Sequence, residues 1–134
     1  MVQERFGRTI LELGGNNALI VNEDADIEMV VRSAIFACVG TAGQRCTTLR
    51  RLILHSKVYD QVLEKLLNGY KQIMERVGDP MESKTLLGPL HTKAAVKEYC
   101  ETIEAIKKAG GKIEIGGRVS ILLSSLYFKK KIKF

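Results

Sequence analysis

The chain predicts an α/β fold in which short strands are joined by crossover helices, and three observations carry that prediction. Short runs rich in Ile, Leu and Val at residues 9–13, 18–21, 52–54 and 113–115 have the length and composition of buried strands. Between them lie longer stretches whose apolar residues recur every three or four positions, the period of an amphipathic helix. Glycine pairs and Gly-Pro steps separate the two kinds of segment, so strand and helix alternate along the chain.

Taken in order, residues 9–13 and 18–21 read as two strand segments around a Gly-Gly-Asn-Asn turn, with Glu12 near the end of the first. Glu23, Asp24 and Asp26 then precede Ile27, Val30, Val31, Ala34, Ile35 and Cys38. Acidic side chains suit a helix start, where they accept free backbone N–H groups and meet the positive end of the dipole. Gly40 and Gly43 stop that helix, which leaves Cys46 on a connection leading into the strand at 52–54. From 58 to about 77, Val58, Val62, Leu66, Leu67, Tyr70, Ile73, Met74 and Val77 have helical spacing, ended by Gly78-Asp79-Pro80. A turn at Gly88-Pro89 leads to a third amphipathic helix over 92–109, carrying Ala95, Val96, Tyr99, Cys100, Ile103 and Ile106. Gly110-Gly111 closes it, and the strand at 113–115 is bounded by Gly116-Gly117.

Composition narrows the function classes. At 134 residues, with 46% hydrophobic and 27% charged positions, the chain is long enough for one cored domain and short of the two large domains a cofactor-dependent enzyme usually needs. Of the net charge of +6, Lys129, Lys130, Lys131 and Lys133 supply four, so no basic face for nucleic acid is expected. No apolar run approaches the roughly 18 residues of a membrane span, and the first residues lack a secretory apolar stretch. Three cysteines at spacings of 8 and 54 fit neither a zinc site nor a disulfide framework, which points to a reducing compartment. Residues 119–134, an apolar stretch followed by the lysine cluster, read as an edge strand, a weak surface anchor or an end without a partner in the fold, the last being favoured.

The candidate chemistry lies at Cys46 and Glu12, 34 positions apart. A thiolate is the reactive form of cysteine, and only about 3% of a free thiol is ionised at pH 7. Arg45 beside Cys46 and the N–H groups of a Gly-containing turn favour the charged form. Cys38 and Cys100 sit on apolar helix faces and read as core filler, whereas Cys46, flanked by Gln, Arg and Thr, belongs to no apolar pattern. Glu12 interrupts an apolar run: buried, it has the makings of a general base; on an edge strand, it points at water. His55 and His91 read as structural or exposed rather than as cysteine partners. Neither glycine pair has the spacing of a phosphate cradle, and no metal-ligand cluster is evident.

Glu-Leu-Gly-Gly at 12–15 and Gly-Gln-Arg-Cys at 43–46, at this separation, resemble the two active-site signatures of the aldehyde dehydrogenase superfamily. The longer stretches, Val-Gln-Glu-Arg-Phe-Gly-Arg at 2–8 leading into Glu-Leu-Gly-Gly-Asn-Asn-Ala, and Gly-Thr-Ala-Gly-Gln-Arg-Cys-Thr-Thr at 40–48, are similar to its antiquitin branch, the α-aminoadipic semialdehyde dehydrogenases. Gly-Pro-Leu-His-Thr-Lys at 88–93 adds to the likeness. The resemblance covers residues 2 to about 118 and implies a partial catalytic domain with a mostly parallel sheet, residues 119–134 being a divergent tail.

The resemblance further implies NAD-dependent oxidation of an aldehyde, with Cys46 as nucleophile and Glu12 as the base that activates the hydrolytic water. Leu13 and Gly14 are implied to lie near the nicotinamide, and Arg45 and Thr47 to contact the carboxylate end of a semialdehyde. A small-molecule aldehyde is the implied partner, a homo-oligomer the implied assembly, and cytosol or mitochondrion the implied compartment. Family members are several times longer, and their upstream dinucleotide-binding region and oxyanion-hole Asn are not among these residues. Two non-oxidative readings stand beside this one: an inactive fragment that docks onto full-length subunits, and a cofactor-free thiol esterase.

Overall fold

The computed structural model describes residues 2–119 and 123–128. Strand β1 (Asn17–Val21) pairs in parallel with β2 (Leu49–Leu54), and helix α1 (Ile27–Val39) makes the crossover between them. This βαβ unit is followed by α2 (Tyr59–Met74), α3 (Lys93–Lys108), β3 (Lys112–Val119) and β4 (Leu123–Phe128), the last two forming an antiparallel pair. The chain is therefore α/β, as the alternation of strand and helix patterns predicts.

Two of the three α-helices among the described residues start at a side-chain cap, while α2 follows Val58 without one. Asp26 caps α1, its Oδ1 accepting the Met29 N–H at 3.1 Å, and Thr92 caps α3, its Oγ1 accepting the Ala95 N–H at 3.1 Å. The core then assembles from the faces the periodicity marks. Val31 and Ala34 of α1 meet Val21, Leu49 and Leu54 of the sheet, and Val58, Val62, Leu66 and Tyr70 close over them from the α2 side. Val62 and Leu66 are 0% and 1% exposed, the best-enclosed large side chains among the described residues. Gly69 of α2 faces Ile35 so closely that a Cβ there would overlap the Ile35 Cδ1, which is what lets the two helices approach.

Three expectations are corrected. Residues 9–13 form no strand: the backbone from 7 to 16 has no regular structure, and Ile10 and Leu11 are 92% and 72% exposed. A β-run requires a neighbouring strand to satisfy its N–H and C=O groups, and no described strand pairs with this one. The second correction concerns Gly116-Gly117, which do not end β3. Their φ angles of 76° and 72°, with register shifts between Ile113 and Ile115 and between Gly116 and Arg118, place bulges inside a strand that runs on to Val119. Lastly, Leu123–Phe128 is not a partnerless end but pairs with β3 as an edge strand; the rest of that tail lies outside the described residues. Among the described residues, no helix is long and apolar enough to cross a membrane.

Candidate active site

The connection from α1 to β2 is where the structure departs most from regular geometry. After Gly40, Thr41 and Ala42 take φ of 54° and 55°, and Gly43 follows at 75°. Left-handed backbone costs a non-glycine residue roughly 1–2 kcal/mol, so two such residues in succession mark a turn held by its surroundings. The chain leaves this turn into Gln44, Arg45, Cys46 and Thr47.

Thr48 anchors the far side of the loop. Only 5% exposed, its Oγ1 accepts the Arg45 N–H at 3.2 Å, and its own N–H donates to the Arg45 carbonyl at 3.1 Å. Asn17, at the head of β1, reaches across with Nδ2 donating to the Cys46 carbonyl at 2.7 Å and the Thr48 carbonyl at 3.1 Å. Cys46 is thus fixed through its backbone while its side chain stays exposed and free. Cys38 and Cys100 are partly buried. Burial pushes the Cys38 thiol above the ordinary cysteine range, the neighbouring Tyr70 hydroxyl opposing it only in part. An exposed thiol on a fixed loop and a neutral thiol inside the fold are chemically different groups.

The two signatures meet at Gly15. A Cβ built there would overlap the Cys46 carbonyl oxygen, so this position admits only glycine at the observed spacing. Glu12 is three residues away along an irregular backbone, and three residues span at most about 11 Å. The Glu12 backbone is therefore tethered within about that reach of the Gly15 contact. Glu12 is solvent-exposed, and the apolar enclosure expected of a buried base is not supplied by the described residues. Leu13 is exposed beside it, and a Cβ on Gly14 would meet nothing within 4 Å.

Arg45 and Thr47 lie on either side of the nucleophile with different surroundings. Thr47 is exposed. The Arg45 guanidinium carbon lies 5.2 Å from the centre of the Phe36 ring, a cation–π arrangement, and Gly40 provides the space its Nη2 occupies. Its charge is thus directed at the end of α1 rather than set freely over the loop. Gly15, Asn17, Gln44 and Thr48, which the sequence reading placed within the signatures without a role of their own, and His91, which it read as structural or exposed, are the further residues the structure brings to the site. The signal for Asn17 was present, a short amide at the start of a strand two residues after a glycine pair. Nothing local marks His91, whose contact with Gln44 spans 47 positions.

Residues 1–130 match the model of the aldehyde dehydrogenase family. The chain belongs to that family. Among its relatives, the alpha-aminoadipic semialdehyde dehydrogenase of Rattus norvegicus is 57% identical over 119 residues, covering 89% of this chain and 22% of the relative. The aldehyde dehydrogenase family 7 member A1 of Brassica napus is 59% identical over 117 residues, covering 87% and 23%. This aldehyde dehydrogenase chain spans less than a quarter of the length of the curated relatives it matches. The crystal structure of succinate-semialdehyde dehydrogenase from Burkholderia pseudomallei superposes with a TM-score of 0.83 at 33% identity, over 93% of this chain and 26% of that one. Betaine aldehyde dehydrogenase from Staphylococcus aureus in complex with NAD+ superposes with a TM-score of 0.79 at 27% identity, over 87% and 23%.

Proposed function

We propose that this chain carries the nucleophile and the base of an NAD-dependent aldehyde oxidation whose remaining groups are supplied outside it. The observation that carries the reading is the contact of Gly15 with the Cys46 carbonyl, which holds the exposed thiol and the Glu12 segment together. Residues 1–118 are the catalytic-domain piece in this reading, and 119–134 a divergent extension.

Cys46 Sγ, as thiolate, adds to the aldehyde carbon, and the oxyanion of the resulting thiohemiacetal accepts the Cys46 backbone N–H. NAD, which supplies the hydride acceptor when bound, would be held at its nicotinamide end by Leu13 and Gly14. These two fit a flat ring: one is an exposed apolar side chain, and the other leaves open space at its Cα. Glu12 takes a proton from the water that hydrolyses the Cys46 thioester, releasing the acid and the thiol. The substrate is a semialdehyde such as α-aminoadipic semialdehyde, the activity that names the rat relative. Thr47, exposed next to the nucleophile, and Arg45, over Phe36, are the groups for its carboxylate end.

Alone, the chain turns over aldehyde slowly or not at all, because each missing oxyanion donor costs roughly 100-fold to 1000-fold. Activated-ester hydrolysis needs only thiol and base, so it tests the pair directly. Ester turnover lost in Cys46→Ala and reduced in Glu12→Gln supports the reading; equal turnover in Cys46→Ala would overturn it.

A second reading, a non-catalytic piece that docks on full-length subunits as part of a family-type oligomer, is favoured by one observation. Phe6, Ile10, Leu11, Leu13, Ile20 and Phe36 are exposed apolar side chains, the kind of surface a partner subunit can cover. Size-exclusion chromatography with and without the full-length rat enzyme separates the two: co-elution with no ester turnover selects docking.

A further inference from the structure

Gln44 stands two residues before the nucleophile, and both ends of its amide are engaged. Nε2 donates to the Thr41 carbonyl at 3.1 Å and, at 3.5 Å, reaches the Pro89 carbonyl. Oε1 accepts the His91 backbone N–H at 2.9 Å and lies 2.8 Å from His91 Nδ1. The orientation of the amide follows from its backbone partners, because a carbonyl only accepts and a backbone N–H only donates. An amide oxygen so placed cannot face the lone pair of a ring nitrogen. His91 Nδ1 therefore carries the hydrogen, and in the neutral ring Nε2 is the unprotonated nitrogen.

We propose that Gln44 and His91 form a latch that positions the Cys46 loop, tying the left-handed turn at 41–43 to the segment at 88–91 ahead of α3. This rests on Cys46 being the nucleophile. Both residues are positioning residues: neither contacts the thiol, and each acts by holding the backbone from which the thiol projects. The latch is exposed, so water competes for each of its hydrogen bonds and its contribution to global stability is small. Its effect is local. The turn at Thr41 and Ala42 is strained, and the Gln44 bond to the Thr41 carbonyl is among the contacts that hold it.

The test uses the full chain and three readouts. Nitrogen-15 NMR of the His91 ring is expected to show neutral His91 mainly as the Nδ1–H form in the parent and mainly as Nε2–H in Gln44→Ala; an Nε2–H ring in the parent overturns the latch. Amide hydrogen exchange at 43–47 is expected to rise about tenfold in Gln44→Ala and His91→Ala while the melting temperature barely moves, as for a local opening. His91→Asn, whose side-chain N–H can replace the Nδ1 donor, is expected to restore slow exchange. Iodoacetamide labelling read at Cys46 by mass spectrometry is expected to change at least about threefold in each alanine variant, to return in His91→Asn, and to change no further in the double variant, as coupled positions require.

Should Gln44→Ala not fold, Gln44→Glu keeps the acceptor for His91 and loses the donor to Thr41. It is expected to retain the Nδ1–H ring while loosening 43–47. Labelling of Cys46 that is unchanged in every variant overturns the positioning role even if exchange rises. Failure of the catalytic reading is separately visible in the parent, as a Cys46 that labels no faster than Cys100.

Discussion

The two arms of the candidate site are built differently. The nucleophile arm, 43–48, leans on a buried threonine, two side-chain amides and the paired strands β1 and β2. The glutamate arm, 7–16, has exposed apolar side chains and touches the rest of the site mainly at its C-terminal end, where Gly15 meets the Cys46 carbonyl and the Asn16 carbonyl accepts Arg51 Nη2 at 2.7 Å. One arm is specified by contacts within the chain. The other has the composition of a buried segment without the surface that would bury it, and that contrast separates what this stretch of polypeptide can organise for itself from what it cannot.

The largest test of the contrast is a pair of leucines. Leu66→Ala removes a fully enclosed side chain and is expected to cost about 3 kcal/mol in urea unfolding. Leu11→Ser on the exposed arm should change the same measurement by less than about 0.5 kcal/mol. An equal cost at Leu11 would mean that the arm packs in solution.

Two neighbouring glycines give the next largest difference. In Gly15→Ala the new methyl must displace the Cys46 carbonyl, with an expected loss of about 1–3 kcal/mol and altered Cys46 labelling. Gly14→Ala has open space and should leave both measurements nearly unchanged. Removing the bridge in Asn17→Ala should cost about 1 kcal/mol, since the carbonyls it leaves are partly hydrated, and should speed amide exchange around Thr48.

The smallest effect is alkaline. Cys38 and Tyr70 both have their proton affinity raised, chiefly by burial, so the folded chain keeps protons that the unfolded chain releases. Stability is therefore full below the ordinary thiol range and falls as pH rises through about 9 and above. Thermal melts in Cys38→Ala should show a shallower decline than the parent over pH 8.5–10.5. An identical slope would assign the alkaline loss to Tyr70 and other groups.

Much of the fold was legible because helices carry their instructions locally. The recurrence of Val62, Leu66, Tyr70 and Ile73 marked the buried face of α2, and the acidic run before Ile27 contained the residue that caps α1. The thiol was legible for the same reason: Cys46 lies outside the apolar helix patterns that Cys38 and Cys100 obey. The strand expected at 9–13 failed because β-structure depends on a neighbour, which composition cannot report. Gly116 and Gly117 were read as stops because a glycine pair looks alike at a strand end and inside a bulge.

From its residues alone, the α/β class, the three helices and the separate characters of the three cysteines followed, since each depends on side-chain type and spacing along one segment. Only the tertiary structure decided that Asn17 and Gly15 grip the Cys46 carbonyl, that Arg45 lies over Phe36, and that Gln44 sets the proton on His91. Those facts depend on which distant backbones come within hydrogen-bond reach, a property of the folded chain in space.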